Sequence, residues 1–191
     1  MPKVNTATDL ECINMRRQPS TTDLYLLPGE YYVGGHERRV RTVLGSCVSI
    51  TLWHPRHRIG AISHFLLPAP GRAGPAEPDP RYAEHAVKLM LRDLAALGVA
   101  ACECEARVFG GASMFPCGML DRGIGRQNGL AALRLLRTHG IRVAAQNLYG
   151  IGHRQVRFDI GSGEVSSHQV APQKSAPPVP KDNRQAATLA L

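Results

Sequence analysis

VRTVLGSCVSITLWHPRHRIGAISHFLL, residues Val40 to Leu67, carries the pattern that decides the fold. Val48, Ile50 and Leu52 alternate with Ser49, Thr51 and Trp53, the period of two that marks a strand. His54-Pro55-Arg56-His57 reads as a turn, and Ile59 to Leu67 as the antiparallel return strand carrying His64. Upstream, Val40 to Leu44 is a further strand that runs into Gly45-Ser46-Cys47, a tight turn with glycine at its pivot. If the two later strands form a hairpin, His64 falls near the level of Cys47.

Working outward, Leu24 to Leu27 and Glu30 to Val33 read as short strands split by Pro28-Gly29. The segment Pro68 to Pro80 holds five prolines and two glycines, a long loop of the kind that often binds or covers a site. Tyr82, Ala86, Leu89, Met90, Leu94 and Leu97 recur at spacings of three and four. They predict a helix over Arg81 to Leu97, closed by Gly98. Cys104 to Phe109 returns as a strand. A second helix runs from Arg126 to His139, with Leu130, Leu133 and Leu136 inward, Asn128 at its start as a cap rather than a substrate ligand, and Gly140 as its stop. Ile141 to Leu148 and Gln155 to Ile160 are strands, and Gly161-Ser162-Gly163 turns the chain back through Glu164-Val165. About eight strands and two helices in this order give an α+β fold: layered mixed β-sheets forming a core flanked by the helices. Residues 1–22 are expected to form a flexible segment, 23–168 the domain, and 169–191 a disordered tail.

Composition narrows the function. The chain has 191 residues, 43% of them hydrophobic, and one Trp, five Tyr and four Phe, so aliphatic side chains must fill most of the core. The 23 basic and 15 acidic residues give a net charge of +8. No long basic run or nucleic-acid signature accompanies that charge, so an acidic protein surface is the better partner and nucleic acid is not expected. The N-terminus lacks an apolar signal region and no stretch approaches the roughly 20 apolar residues of a membrane span. Five cysteines, an odd number, suit reduced thiols in the cytoplasm better than a disulfide framework. Cys102, Cys104 and Cys117 lack a zinc-site spacing, and neither metal nor cofactor is expected.

A cysteine nucleophile needs a nearby base and a group that orients the base. The bend at Gly45-Ser46 can expose Cys47 while aiming successive N–H groups at one point, as an oxyanion hole requires. Spacing alone favours reading Cys47 as a small buried hydrophobe, the common fate of cysteine, over a nucleophile. Gly110-Gly111 reads either as a permissive turn or as a place where a substrate strand approaches closely.

Leu44-Gly45-Ser46-Cys47-Val48-Ser49-Ile50, followed by Gly60-Ala61-Ile62-Ser63-His64-Phe65-Leu66-Leu67-Pro68, resembles the core motif of the chemoreceptor glutamine deamidases of bacterial chemotaxis, the CheD family. Arg81-Tyr82-Ala83, Phe109-Gly110-Gly111-Ala112-Ser113-Met114-Phe115 and Ile124-Gly125-Arg126-Gln127-Asn128 are similar to three further family blocks, in the same order. The likeness spans roughly Leu24 to Val165. It implies a fold related to deamidating toxin domains and an enzyme that converts receptor glutamines to glutamate, with receptor methyl-ester hydrolysis as a side activity. Cys47 would be the nucleophile, His64 its base and Thr42 the residue that orients His64. Gly45, Ser46, Gly110 and Gly111 would serve the oxyanion or the substrate. The implied partners are methyl-accepting chemotaxis receptors and a CheC-type response-regulator phosphatase. The alternative is a non-catalytic adaptor that docks to either. One departure stands out: a Gly-Gly pair expected before Arg154 appears here as Gly150-Ile151-Gly152.

Overall fold

The computed structural model describes residues 21–72, 74–113 and 123–172. The expected tails lie mostly outside these residues, although their described ends join the fold: Thr22 opens the first strand and Val170 closes the last. Nine strands and two α-helices are present among the described residues. In chain order they are β1 (Thr22–Tyr25), β2 (Tyr31–Gly34), β3 (Arg38–Leu44), β4 (Val48–His54), β5 (Ile59–Ser63), α1 (Ala83–Ala96), β6 (Glu105–Gly110), α2 (Ile124–Thr138), β7 (Arg142–Leu148), β8 (His153–Asp159) and β9 (Glu164–Val170). They form a four-stranded sheet, β1-β3-β8-β9, and a five-stranded sheet, β2-β5-β4-β6-β7. Both are mixed, because β1 runs parallel to β3 and β6 parallel to β7. The expected α+β layering is what the chain adopts.

The central strand shows why the layers stack. Val48, Ile50 and Leu52 of β4 are fully buried against Ala83, Ala86, Val87, Met90 and Leu94 of α1 and Ala131, Ala132 and Leu136 of α2. Ser49 and Thr51, on the opposite face, are buried as well, because the four-stranded sheet covers that side. Between the sheets lies a second core of Leu26, Val40, Ile62, Phe158 and Ile160. Gly60 makes room for it: a Cβ there would stand 2.8 Å from the Phe158 ring. Trp53 ties the layers together by donating from Nε1 to the Ile160 carbonyl at 2.9 Å.

Both helices end as their glycines predict. At α1 the Gly98 N–H reaches the Ala95 carbonyl at 2.9 Å and the Val99 N–H the Leu94 carbonyl at 3.0 Å. Gly140 and Ile141 repeat the pattern on Arg137 and Leu136. These are Schellman motifs, and Gly98 and Gly140 adopt the positive φ they need, 76° and 66°.

Three expectations change. Leu130 faces solvent at 48% exposure, because α2 buries the row Gly125, Asn128, Gly129, Ala132 and Leu136 instead. Asn128 is therefore no cap; it sits inside the helix, fully buried. The return strand stops at Ser63, since beyond Phe65 the Leu66 and Leu67 N–H groups turn to the Arg81 carbonyl at 2.9 and 3.1 Å. Those two bonds, with Ala83 N–H to Leu67 at 2.9 Å, also close the neck of the proline-rich loop.

Phe158 is the largest wholly apolar contribution to the inter-sheet core, so Phe158→Ala is expected to destabilise the protein by about 3–5 kcal/mol. Urea denaturation measures this; a loss below about 1 kcal/mol would show that the sheets do not depend on one another there.

Candidate active site

β3 belongs to one sheet and β4 to the other, so Gly45-Ser46-Cys47 is where the chain crosses between layers. The β4–β5 register pairs Thr51 with Ile62, and an isolated bridge continues it to Val48 and Phe65. That last pair exchanges both hydrogen bonds, at 3.1 and 3.0 Å. One step further on, Cys47 stands level with Leu66 and diagonal to His64 on the same face, within the reach of a long side chain. The face is the one turned to the other sheet. Cys47 packs there against Leu44, Phe109 and Val156, and Ile62, two residues before His64, joins the inter-sheet core.

Thr42 meets His64 from across the gap. Its Oγ1 donates to the Leu26 carbonyl at 2.8 Å and lies 2.8 Å from His64 Nδ1. A hydroxyl has one proton to give. With that proton on Leu26, Oγ1 accepts from Nδ1–H, which leaves Nε2 as the unprotonated nitrogen, able to act as a base. The His64 backbone is held on both sides, by its N–H on the Glu30 carbonyl at 2.9 Å and its carbonyl on the Gly29 N–H at 2.7 Å.

Burial sets the protonation states. His64 is only 2% exposed, and desolvation pushes its pKa below the usual histidine value, against the Leu26 carbonyl and the Glu30 charge, which favour the cation. Burial likewise pushes the Cys47 thiol up, opposed in part by its own backbone N–H. At neutral pH the two groups rest as thiol and imidazole, both uncharged.

The glycines buttress this corner. Gly110 has φ 110°, and a Cβ on it would collide with the Cys47 carbonyl oxygen. The Gly111 N–H donates to that oxygen at 2.8 Å, and Ala112 N–H to the Gly45 carbonyl at 2.9 Å. Gly111 thus gives its N–H to the Cys47 peptide rather than leaving it open to a ligand. Among the described residues no backbone carbonyl takes the N–H of Ser46 or Cys47.

Two residues to which the sequence reading gave no such role meet at this corner. Asn128 donates from Nδ2 to the Ser46 carbonyl at 3.0 Å and the Leu66 carbonyl at 2.7 Å. Its place on the buried row of α2, four residues before Ala132 and eight before Leu136, is the signal that could have revealed it. Arg154, 3% exposed, donates to the carbonyls of Gly110 at 3.1 Å and Tyr149 at 3.2 Å and to the Gln169 side chain. The departure at Gly150-Ile151-Gly152 keeps a role in the same corner: Ser113 and this loop exchange bonds at 2.9 and 2.8 Å. Among the described residues no cluster of His, Cys, Asp and Glu could hold a metal, and no helix is long and apolar enough to cross a membrane.

Because the folded state binds its His64 proton less readily than the unfolded chain, this residue's contribution to stability is complete above pH 6.5 and is lost as pH falls through the lower folded pKa. Urea denaturation at about pH 7.5 and about pH 5.5 should show a drop for the wild type that is smaller in His64→Gln. An equal drop in both would place the proton on the wild-type imidazole without penalty.

The family model described as CheD chemotactic sensory transduction matches residues 66–169. The chain is 52% identical over 162 residues to a probable chemoreceptor glutamine deamidase CheD 2 of Albidiferax ferrireducens, covering 83% of this chain and 93% of that one. A probable chemoreceptor glutamine deamidase CheD 3 of Dechloromonas aromatica is 40% identical over 145 residues, covering 75% and 85%. The corresponding protein of Pseudomonas savastanoi pv. phaseolicola is 39% identical over 155 residues, covering 79% and 86%. With the family model matching residues 66–169 and relatives aligned over most of their length, this chain belongs to the CheD family.

Proposed function

We propose that this protein deamidates selected glutamine side chains of chemoreceptors by covalent cysteine catalysis. The observation that carries the reading is the Leu26–Thr42–His64 chain of contacts, which presents Nε2 as base on the face where Cys47 emerges. The names of the relatives supply the substrate class.

His64 Nε2 takes the thiol proton as Sγ attacks the glutamine carboxamide carbon. The negative charge that develops on the amide oxygen is met by the N–H groups of Ser46 and Cys47; removing one donor of this kind costs about 3–4 kcal/mol elsewhere. The imidazolium gives its proton to the leaving nitrogen, ammonia departs and a thioester remains. Water, activated by the same imidazole, hydrolyses it to glutamate and restores the thiol. A glutamyl methyl ester enters the same sequence with methanol as the leaving group. Because the resting pair is uncharged, the thiolate forms only as attack proceeds, which suits slow, occasional modification of a signalling protein. The reading places the enzyme in the cytosol, where its nucleophile stays reduced. A docking adaptor would have no need for a buried histidine held in one tautomer.

Incubation with a receptor cytoplasmic fragment, followed by peptide mass analysis, should show glutamine converted to glutamate by the wild type. Cys47→Ala should show none while still binding the fragment; retained conversion in that variant would overturn the proposal. Thr42→Val removes the acceptor for Nδ1–H and should lower kcat by up to about 10²-fold, the lower end of what a positioned base contributes. Across pH, wild-type kcat/KM should rise through a pKa below 6.5 and hold its plateau into the alkaline range, following the directions of the His64 and Cys47 shifts.

A further inference from the structure

The β4–β5 ladder breaks where the chemistry sits. After Val48 and Phe65, a continued ladder would give the Leu67 N–H to the Ser46 carbonyl, but that N–H goes to Arg81 at 3.1 Å. Asn128 supplies the missing donor. Its two Nδ2 protons go to Ser46, the residue before Cys47, and to Leu66, two residues after His64. One side chain thus bridges the turn that carries the sulfur and the strand that carries the imidazole.

The bridge has a rigid footing. Gly125 and Gly129 bring the start of α2 so close to its neighbours that added Cβ atoms would lie 2.5 Å from the Gly111 carbonyl oxygen and 2.8 Å from the Tyr149 hydroxyl. Gly111 in turn bonds the Cys47 carbonyl. A residue needed only for packing would be apolar here. Asn128 is instead fully buried, with its Oδ1 left without a hydrogen-bond partner among the described residues, so what the site retains is the pair of N–H donors.

We infer that Asn128 is a positioning residue that fixes the separation of Cys47 and His64 by holding both backbone segments from α2. The inference rests on the Cys47–His64 reading above. Misplacement of reacting groups by about 1 Å can cost about 10²-fold in rate, so a lost bridge should appear in kcat more than in substrate binding.

The test uses the full chain with a receptor cytoplasmic fragment. Asn128→Ala should keep KM within about threefold of wild type while kcat falls on the order of 10²-fold. Asn128→Asp adds a readout that general weakening of the fold would not move. The introduced carboxylate cannot donate, but a buried carboxyl regains its proton readily and then offers one hydrogen bond. The ratio of its kcat to that of wild type should therefore rise as pH falls. Wild-type kcat in a folded Asn128→Ala protein overturns the inference. Should that variant not fold, a ratio for Asn128→Asp that is flat with pH overturns it equally. Cys47→Ala run in parallel separates the two failures: activity there removes the cysteine mechanism itself, whereas inactivity there beside an unaffected Asn128→Ala removes only the positioning role.

Discussion

The chain changes sheets between Leu44 and Val48, and everything at the site follows from that short crossing. So few residues can link two layers only if the layers touch there. Thr42, near the end of β3, and His64, just past β5, therefore come to face each other across the inter-sheet core. In that buried gap an unpaired donor or acceptor costs about 1–3 kcal/mol. Thr42, His64 and the Leu26 carbonyl satisfy one another, and the tautomer of the histidine is settled by that mutual satisfaction rather than by a nearby carboxylate.

The same burial sets the electrostatics. Desolvation disfavours both the thiolate and the imidazolium, so the resting site holds both groups neutral. A threonine in the orienting position gives the imidazolium no full negative charge to lean on. In the proposed mechanism the backbone donors next to Cys47 carry much of the charge stabilisation, and Gly111, Asn128 and Arg154 all hold peptide groups at that corner.

Much of this was readable in the chain. The alternation from Val48 to Trp53, the turn at Gly45 and the helix-ending glycines each have a local physical cause, and local causes leave local patterns. The hairpin register then follows from counting. The boundary of β5 did not, because what ends it is the distant Arg81 carbonyl. The buried face of α2 was misread at Leu130 for a similar reason, although Leu136 is fully buried and Leu133 packs against the core as expected. Leu130 looks like a core residue by hydrophobicity, but the seam beside it is so tight that glycine, alanine and asparagine occupy the inward row and leucine is turned out. Close backbone contact inverts the usual rule that large apolar residues mark the core. Likewise β9 runs to Val170 despite its polar composition, since Gln169 is held by Arg154 and donates to the Ile151 carbonyl at 2.8 Å.

The proline-rich loop that follows Leu67 returns to its own starting point, where the Leu66 and Leu67 N–H groups share the Arg81 carbonyl and the Ala83 N–H bonds the Leu67 carbonyl. A loop tied at its base stores its length as chain entropy outside the folded body, and doubling such a length costs only about 0.6 kcal/mol. Insertions and deletions between the tie points are thus nearly free thermodynamically, while the strand end beside His64 stays where it is. Within this architecture, that segment is where surface shape can diverge fastest without disturbing the reaction.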